Sequence, residues 1–200
     1  MTQLADGFYE VPPGRVATVV TYLEMRAPAP LRPADLPQGA TIRRVEQPDT
    51  VWYRDLFNRV GGQDWMWFSR LLMSHAELAT IIQDPKVHLY VLDLDGNAEG
   101  MLELDFREQG ECELAFFGVT SAMTGTTAGR CLMNHAIPAA FQPGVTRFHV
   151  HTCTLDHPRA LDFYMRSGFV PTRREVEVVE DPRLTGKLPE DAAPHVPVLG

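Results

Sequence analysis

The sequence predicts an α/β fold: one mixed, mostly antiparallel central sheet with helices on both faces, plus an N-terminal strand arm. Three observations lead there. Strand-like segments separated by tight-turn signals form a meander over 87–119, and a β–α–β–α–β alternation closes the chain up to 179. Helical segments fill 47–83, between a short strand and that meander. Meander strands joined to a β–α–β unit require a mixed sheet, and the connecting helices then cover its faces.

In order, 16–25 is rich in β-branched residues and reads as a strand. Pro28, Pro30, Pro33 and Pro37 make the next stretch an extended linker. Residues 1–39 are therefore expected to be an arm that either packs back on the domain or pairs with a second subunit in a homodimer. The main domain is expected over 40–180. It begins with a strand at 41–45 and a helix at 47–60, with Pro48 in its first turn and Gly61-Gly62 ending it. Further helical pieces are expected at 65–72 and 74–83, the second opened by a capping box of Ser74 and Glu77. Strands are expected at 87–94 and 99–106, around the hairpin signal Asp95-Gly96, and at 113–119 after Gln109-Gly110. A loop rich in Thr and Gly opens a helix over 127–141, which Pro138 should kink or shorten. A strand at 147–152, a helix at 157–167 stopped by Gly168 and a strand at 169–179 complete the domain. The tail 181–200, with four prolines, is expected to be irregular.

Composition narrows the function classes. Two hundred residues suit one domain, or one domain with an arm. Hydrophobic residues at 44% and charged residues at 22% set aside a disordered or fibrous chain. Eighteen basic against 26 acidic residues, a formal charge of −8, oppose nucleic-acid binding, which needs a basic face. No apolar run approaches the roughly 18 residues of a membrane span, and residues 1–6 lack the pattern of a signal peptide. The expectation is a soluble, cytoplasmic protein that does not engage a membrane. Cys112, Cys131 and Cys153 are odd in number and far apart, which argues against a disulfide framework or a structural zinc site.

Two segments carry chemistry. The first runs Phe117-Gly118-Val119 and then Thr124-Gly125-Thr126-Thr127-Ala128-Gly129-Arg130, a strand, a loop and a helix start whose amides suit an anion. The second is Asp156-His157-Pro158-Arg159-Ala160-Leu161-Asp162-Phe163-Tyr164, ending in Gly168-Phe169. Together they resemble the GCN5-related N-acetyltransferase (GNAT) family, whose pyrophosphate loop is written Arg/Gln-x-x-Gly-x-Gly/Ala and whose later signature is Asn-x-x-Ala-x-x-x-Tyr-x-x-x-Gly-Phe. By element order the resemblance extends over 41–179 and implies an acyl-CoA N-acyltransferase-like fold. It also implies acetyl-CoA as co-substrate, no metal, and a small-molecule or peptide amine as acceptor. Thr124 stands where the family has Arg or Gln, and Thr127 where it has the middle Gly, whose missing Cβ lets backbone N–H groups approach phosphate. The alternative is therefore a non-catalytic acyl-CoA-binding sensor or a degenerate scaffold. A transferase for hydroxyl acceptors or longer acyl chains is a further rival.

The resemblance implies that Tyr164 protonates the departing thiolate, that the 124–130 loop holds the pyrophosphate, and that amides near Phe117, Gly118 and Val119 meet the oxyanion. It puts His157 where an Asn contacts the cofactor; the other reading is a helix N-terminal residue beside a capping Asp156. Glu113 takes the spacing of the general base in the histone-acetyltransferase branch. Period-two alternation sets Glu113, Ala115, Phe117 and Val119 on one face, with Asp105 on the preceding strand as its rival for the substrate side. A solvent-facing carboxylate at a strand start is the other reading of Glu113. Trp65 and Trp67 are candidates for the acceptor pocket, alongside a core role for the aromatic cluster around Trp52, Tyr53 and Phe68. His149, His151 and Cys153 share a face that either lines the cleft or is polar sheet surface. A metal site there would need a carboxylate, and none is evident nearby in the sequence.

Overall fold

Seven segments form one sheet, and apolar residues on five of them, at alternate positions for the most part, bury its faces. A computed structural model describes residues 4–200. Its strands are β1 (Arg15–Met25), β2 (Ala40–Val45), β3 (Val87–Leu94), β4 (Asn97–Asp105), β5 (Glu111–Val119), β6 (Arg147–Cys153) and β7 (Val170–Glu180). The sheet order is β2-β3-β4-β5-β6-β1-β7. Every neighbouring pair is antiparallel except β5 and β6, which are parallel. The mixed sheet is as expected. The N-terminal strand packs back on its own chain, inserted between β6 and β7, where it contributes Val16, Val20, Leu23 and Met25 to the core. The β3–β4 turn is formed by Asp95 (φ 50°) and Gly96 (φ 86°), the paired left-handed residues that a two-residue hairpin demands.

The helices are α1 (Thr50–Phe57), α2 (Gln63–Trp65), α3 (Ser69–Leu72), α4 (His75–Ile82), α5 (Ala128–Ala140) and α6 (Ala160–Arg166). Alternation on β3, β4 and β5 divides the core in two. Leu102, Leu104, Cys112 and Leu114 pack with Leu132, Ala136 and Tyr164 of α5 and α6. Leu89, Val91 and Met101 pack with Tyr53, Leu56, Leu78 and Ile82 of α1 and α4 on the opposite face. Among the described residues no helix is long and apolar enough to cross a membrane.

Several boundaries differ from expectation for identifiable reasons. Asp49, not Pro48, starts α1, because its carboxylate accepts from the N–H groups of Val51 and Trp52. Gly61 and Gly62 do not end the helical path. They lie in a π-helical turn, Asn58–Gly62, that runs on into α2, and the path ends at Met66 in the left-handed conformation (φ 56°). A Cβ on Gly61 would lie 2.0 Å from the Trp67 ring, so this glycine makes room for that side chain. The Ser74–Glu77 capping box is present. Helix α5 continues through Pro138 to Ala140 although Pro138 has no N–H for the Asn134 carbonyl; Ala136, Ile137 and Ala140 are buried against the sheet.

The stretch 181–200 holds neither helix nor strand, yet it is anchored. Arg183 is buried, bonded to both oxygens of Asp181 and to the carbonyls of Ala192 (3.2 Å) and Val196 (2.8 Å). Ala193 N–H reaches Gln63 O at 2.8 Å, which ties this segment to α2.

One polar cluster lies inside the second core. Glu103, fully buried, accepts from Tyr53 Oη at 2.5 Å and is paired with the buried Arg70 guanidinium. Burial, reinforced by the Glu103 charge, pushes the Tyr53 hydroxyl well up and keeps it a neutral donor. Replacing Glu103 by Gln leaves Arg70 charged without its counter-ion, so urea unfolding of Glu103→Gln should show a loss of about 3 kcal/mol. The double variant Glu103→Gln/Arg70→Met should recover part of that loss.

Candidate active site

The site begins where two strands part. β5 and β6 pair only at Glu111↔Arg147, Cys112↔Phe148 and Glu113↔His149. Beyond Glu113, β5 stays bonded to β4 while its other edge has no strand beside it. A bulge falls at this point: Leu104 opposes Leu114 and Glu103 opposes Phe116, which leaves Ala115 without a partner. Thr120 N–H donates to Glu99 O of the β4 side at 2.9 Å. Counting back by alternation, the N–H groups of Phe117 and Val119 lie on the free edge. The gap opens into a cavity of about 680 Å³, lined along this strand by Leu114 through Val119.

The bulge overturns one expectation. Phe117 and Val119 pack with Cys112 and Leu114 on the α5–α6 face, whereas Glu113 lies with Glu103 and Phe116 on the other. Glu113 therefore does not share a face with Phe117 and Val119, and it does not line the cavity. Its neighbour does: His151 lines the cavity and sets Nδ1 3.5 Å from Glu113 Oε1. That contact holds the Glu113 carboxyl below its ordinary range and pushes the His151 imidazole up. His149 lies 3.4 Å from Glu111, so carboxylates do stand beside both histidines, supplied by the adjacent strand. Among the described residues no three His, Cys, Asp or Glu gather into a metal-holding group. Asp105 lies outside the cavity. Burial alone would raise its carboxyl, but bonds from Arg107 outweigh burial and hold it low.

The other end of the cavity is the loop. Gly125 (φ 84°) takes a left-handed conformation that favours glycine, and Thr124, Thr126, Thr127, Gly129 and Arg130 also line the space. The threonine hydroxyls are turned away: Thr124 donates to Thr120 O (3.3 Å), Thr126 to Met123 O (2.7 Å) and Thr127 to Asp35 O of the proline-rich linker (2.7 Å). Thr127 is thus a clasp for the linker. The backbone N–H groups of Gly125, Thr127, Gly129 and Arg130 meet no acceptor among the described residues, at the amino end of the 13-residue α5. Ala128 is the exception within the loop. Its side chain is in the core and its N–H donates to Thr126 Oγ1. The side chains of Arg130, Arg159 and Arg166 stand around this end; among the described residues only Arg166 has a carboxylate within 4 Å, Asp162 at 3.8 Å.

Tyr164 lines the cavity from α6, between Phe117 and Phe169. Its hydroxyl bonds to no described residue, and burial pushes it up, so it stays protonated. Asp156 does not cap α6, which starts at Ala160 behind Arg159. It accepts instead from Thr152 Oγ1 (2.7 Å), Cys153 N–H (2.9 Å) and Trp67 Nε1 (3.0 Å), fixing the indole as a cavity wall. Trp65 is held edge-on to His157 (4.8 Å between centroids) and by His195 of the C-terminal stretch (5.6 Å). Trp65, Trp67 and His157 all line the cavity. So do Asp156, Arg159 and Glu177, which motif and spacing did not single out as wall residues. Asp156 and Arg159 belong to the second chemistry-bearing segment, the signal that could have found them; Glu177 on β7 carried none.

The family model described as acetyltransferase (GNAT) family matches residues 51–169. No curated protein matches the chain. Among solved structures, a GCN5-related N-acetyltransferase from Sphaerobacter thermophilus is similar with TM-score 0.62 and 18% identity, over 85% of this chain and 53% of that one. A GCN5-related N-acetyltransferase from Kribbella flavida gives 0.55 and 17%, over 86% and 63%. An aminoglycoside acetyltransferase from an uncultured soil metagenomic sample, in complex with sisomicin, gives 0.50 and 15%, over 65% and 88%. At these identities the likeness is one of fold, and the protein spans between about half and two thirds of the length of the first two. The family match covers more than half of the protein, and on that ground the chain belongs to the acetyltransferase (GNAT) family.

Proposed function

We propose that the protein transfers an acetyl group from acetyl-CoA directly to an amine, within the cavity between β5 and β6. One observation carries this reading: the free edge of β5 runs from the unpaired loop amides to His151. The residues fit the cofactor. Four N–H groups without acceptors among the described residues and the Arg130 and Arg159 side chains suit its phosphates, and the free N–H groups of Phe117 and Val119 suit its acyl arm. The threonines, with their hydroxyls bonded to carbonyls, leave those amides free, which favours an enzyme over a degenerate scaffold.

When bound, acetyl-CoA supplies the electrophilic thioester carbon and a thiolate leaving group. An amine is protonated near neutral pH and must shed a proton before it attacks. His151 accepts that proton, with Glu113 acting through it as a positioning residue that raises its basicity. A free-edge amide of β5, Phe117 or Val119, stabilises the carbonyl oxygen as it gains charge; the two lie about 6.8 Å apart along the strand, so one serves it. As the N–C bond forms and the C–S bond breaks, Tyr164 delivers its proton to the sulfur; the second proton of the nitrogen leaves to solvent, which also restores the Tyr164 hydroxyl.

Three measurements test this. A Cβ at Gly129 would meet nothing within 4 Å, so Gly129→Glu should fold normally and place a carboxylate among the loop amides. Calorimetric titration should give acetyl-CoA binding for the wild type and none for the variant; equal binding by both would overturn the assignment. His151, followed by NMR, should titrate above its ordinary 6.5, because Glu113 favours the charged ring. In Glu113→Gln the largest raising influence is lost and only the lesser ones of Asp156 and Glu177 oppose burial, so the midpoint should fall and the acidic limb of the rate profile should move to lower pH. If Glu113 itself takes the proton, that variant is inactive at every pH. Tyr164→Phe should lower kcat about a hundredfold while acetyl-CoA still binds.

A further inference from the structure

Two properties of the amine end of the cavity restrict what it accepts. Its walls there carry large apolar side chains, Val20, Val60, Trp65, Trp67 and Phe116, beside His151, Asp156 and His157. The Trp67 wall is backed by Phe57 and Phe116, with ring centroids 5.5 and 5.3 Å away, so it presents a fixed aromatic face. Negative charge, in contrast, is already engaged. Among the described residues only two carboxylates line the cavity, Asp156 and Glu177. Asp156 accepts three hydrogen bonds, from Thr152, Cys153 and Trp67. Close by, Glu113 is committed to His151, Glu111 to Arg147 and His149, and Glu175 to Tyr22 and Arg173. Glu177 alone lacks a partner among the described residues, and it sits at the exposed rim on β7.

We infer that the acceptor is an amine with an apolar, aromatic-sized body whose reacting nitrogen is its only cation. This rests on the acetyl transfer proposed for the cavity. One ammonium is served by Glu177 on approach and by His151 at the point of reaction. A second ammonium, as in a polyamine or an aminoglycoside, would be desolvated among Val60, Trp67 and Phe116, where the one carboxylate, Asp156, already holds three neutral donors, which is costly. An aryl ring in the same place gains by burial against the indoles.

The test compares acceptors with the purified full chain and acetyl-CoA, reading thiol release. The probes are 2-phenylethylamine, spermidine and sisomicin. The expected result is a kcat/KM for 2-phenylethylamine at least ~10-fold above either polycation. Trp65→Ala should raise KM for 2-phenylethylamine about fivefold or more with little change in kcat, the pattern of lost uniform binding. A polycation turned over as fast as 2-phenylethylamine overturns the inference and leaves the transfer reading standing. Acetyl-CoA that binds without thiol release for any amine overturns both.

Discussion

Everything at this site depends on the separation of β5 and β6 after three paired residues. A fully paired sheet would have consumed the amides of Phe117 and Val119 and filled the space with side chains. Parting the strands leaves one edge of β5 free in the middle of a seven-stranded sheet, a place where unpaired backbone is otherwise avoided. The bulge at Ala115 works with the split. It turns Phe117 toward the face where α5 begins and Tyr164 sits, while Glu113 stays with His149 and His151 on the other side. The two halves of the chemistry thus reach one cavity from opposite faces.

Charge is distributed along that cavity in the same sense. Cationic side chains and helix amides stand at the loop, the histidine–carboxylate pair at the far end, and apolar surface between them. The pair also links folding to pH. Glu113, held below its ordinary 4.5, contributes stability above that value and loses it as pH falls through its lowered range. His151, held above 6.5, contributes below that value and loses it as pH rises through its raised range. The contact is therefore strongest in the mildly acidic interval between them.

Much of this was legible in the residues. Asp95-Gly96, the Ser74–Glu77 box and the alternating strands are local signals, and local geometry decided them. The loop glycines and Tyr164 stand out in the sequence by their spacing, and both lie on the cavity wall. What escaped depends on contacts distant in sequence. The bulge at Ala115 has no signature of its own, and it reversed the face assigned to everything after it. The indole of Trp67 took Asp156 from the helix it was expected to cap, over a separation of 89 residues. Arg183 organises a proline-rich stretch by collecting carbonyls, where composition suggests only irregular chain. The position of β1 could not be read either, since any sheet edge or partner strand satisfies its pattern.

That position has a consequence for how the protein comes to be folded. β1 is bonded on one side to β6, through pairs such as Glu24↔His149 and Val20↔Cys153, and on the other side to β7. β1 therefore meets neither of these partners until synthesis has passed Arg147, where β6 begins, and the second comes later still. Loop closure over such a span is slow compared with hairpin formation. The meander β3–β4–β5 can form first, while β1 waits as an unpaired, apolar segment exposed to self-association. Chain order and assembly order thus run opposite to each other here: the topology makes insertion of the first strand a late step.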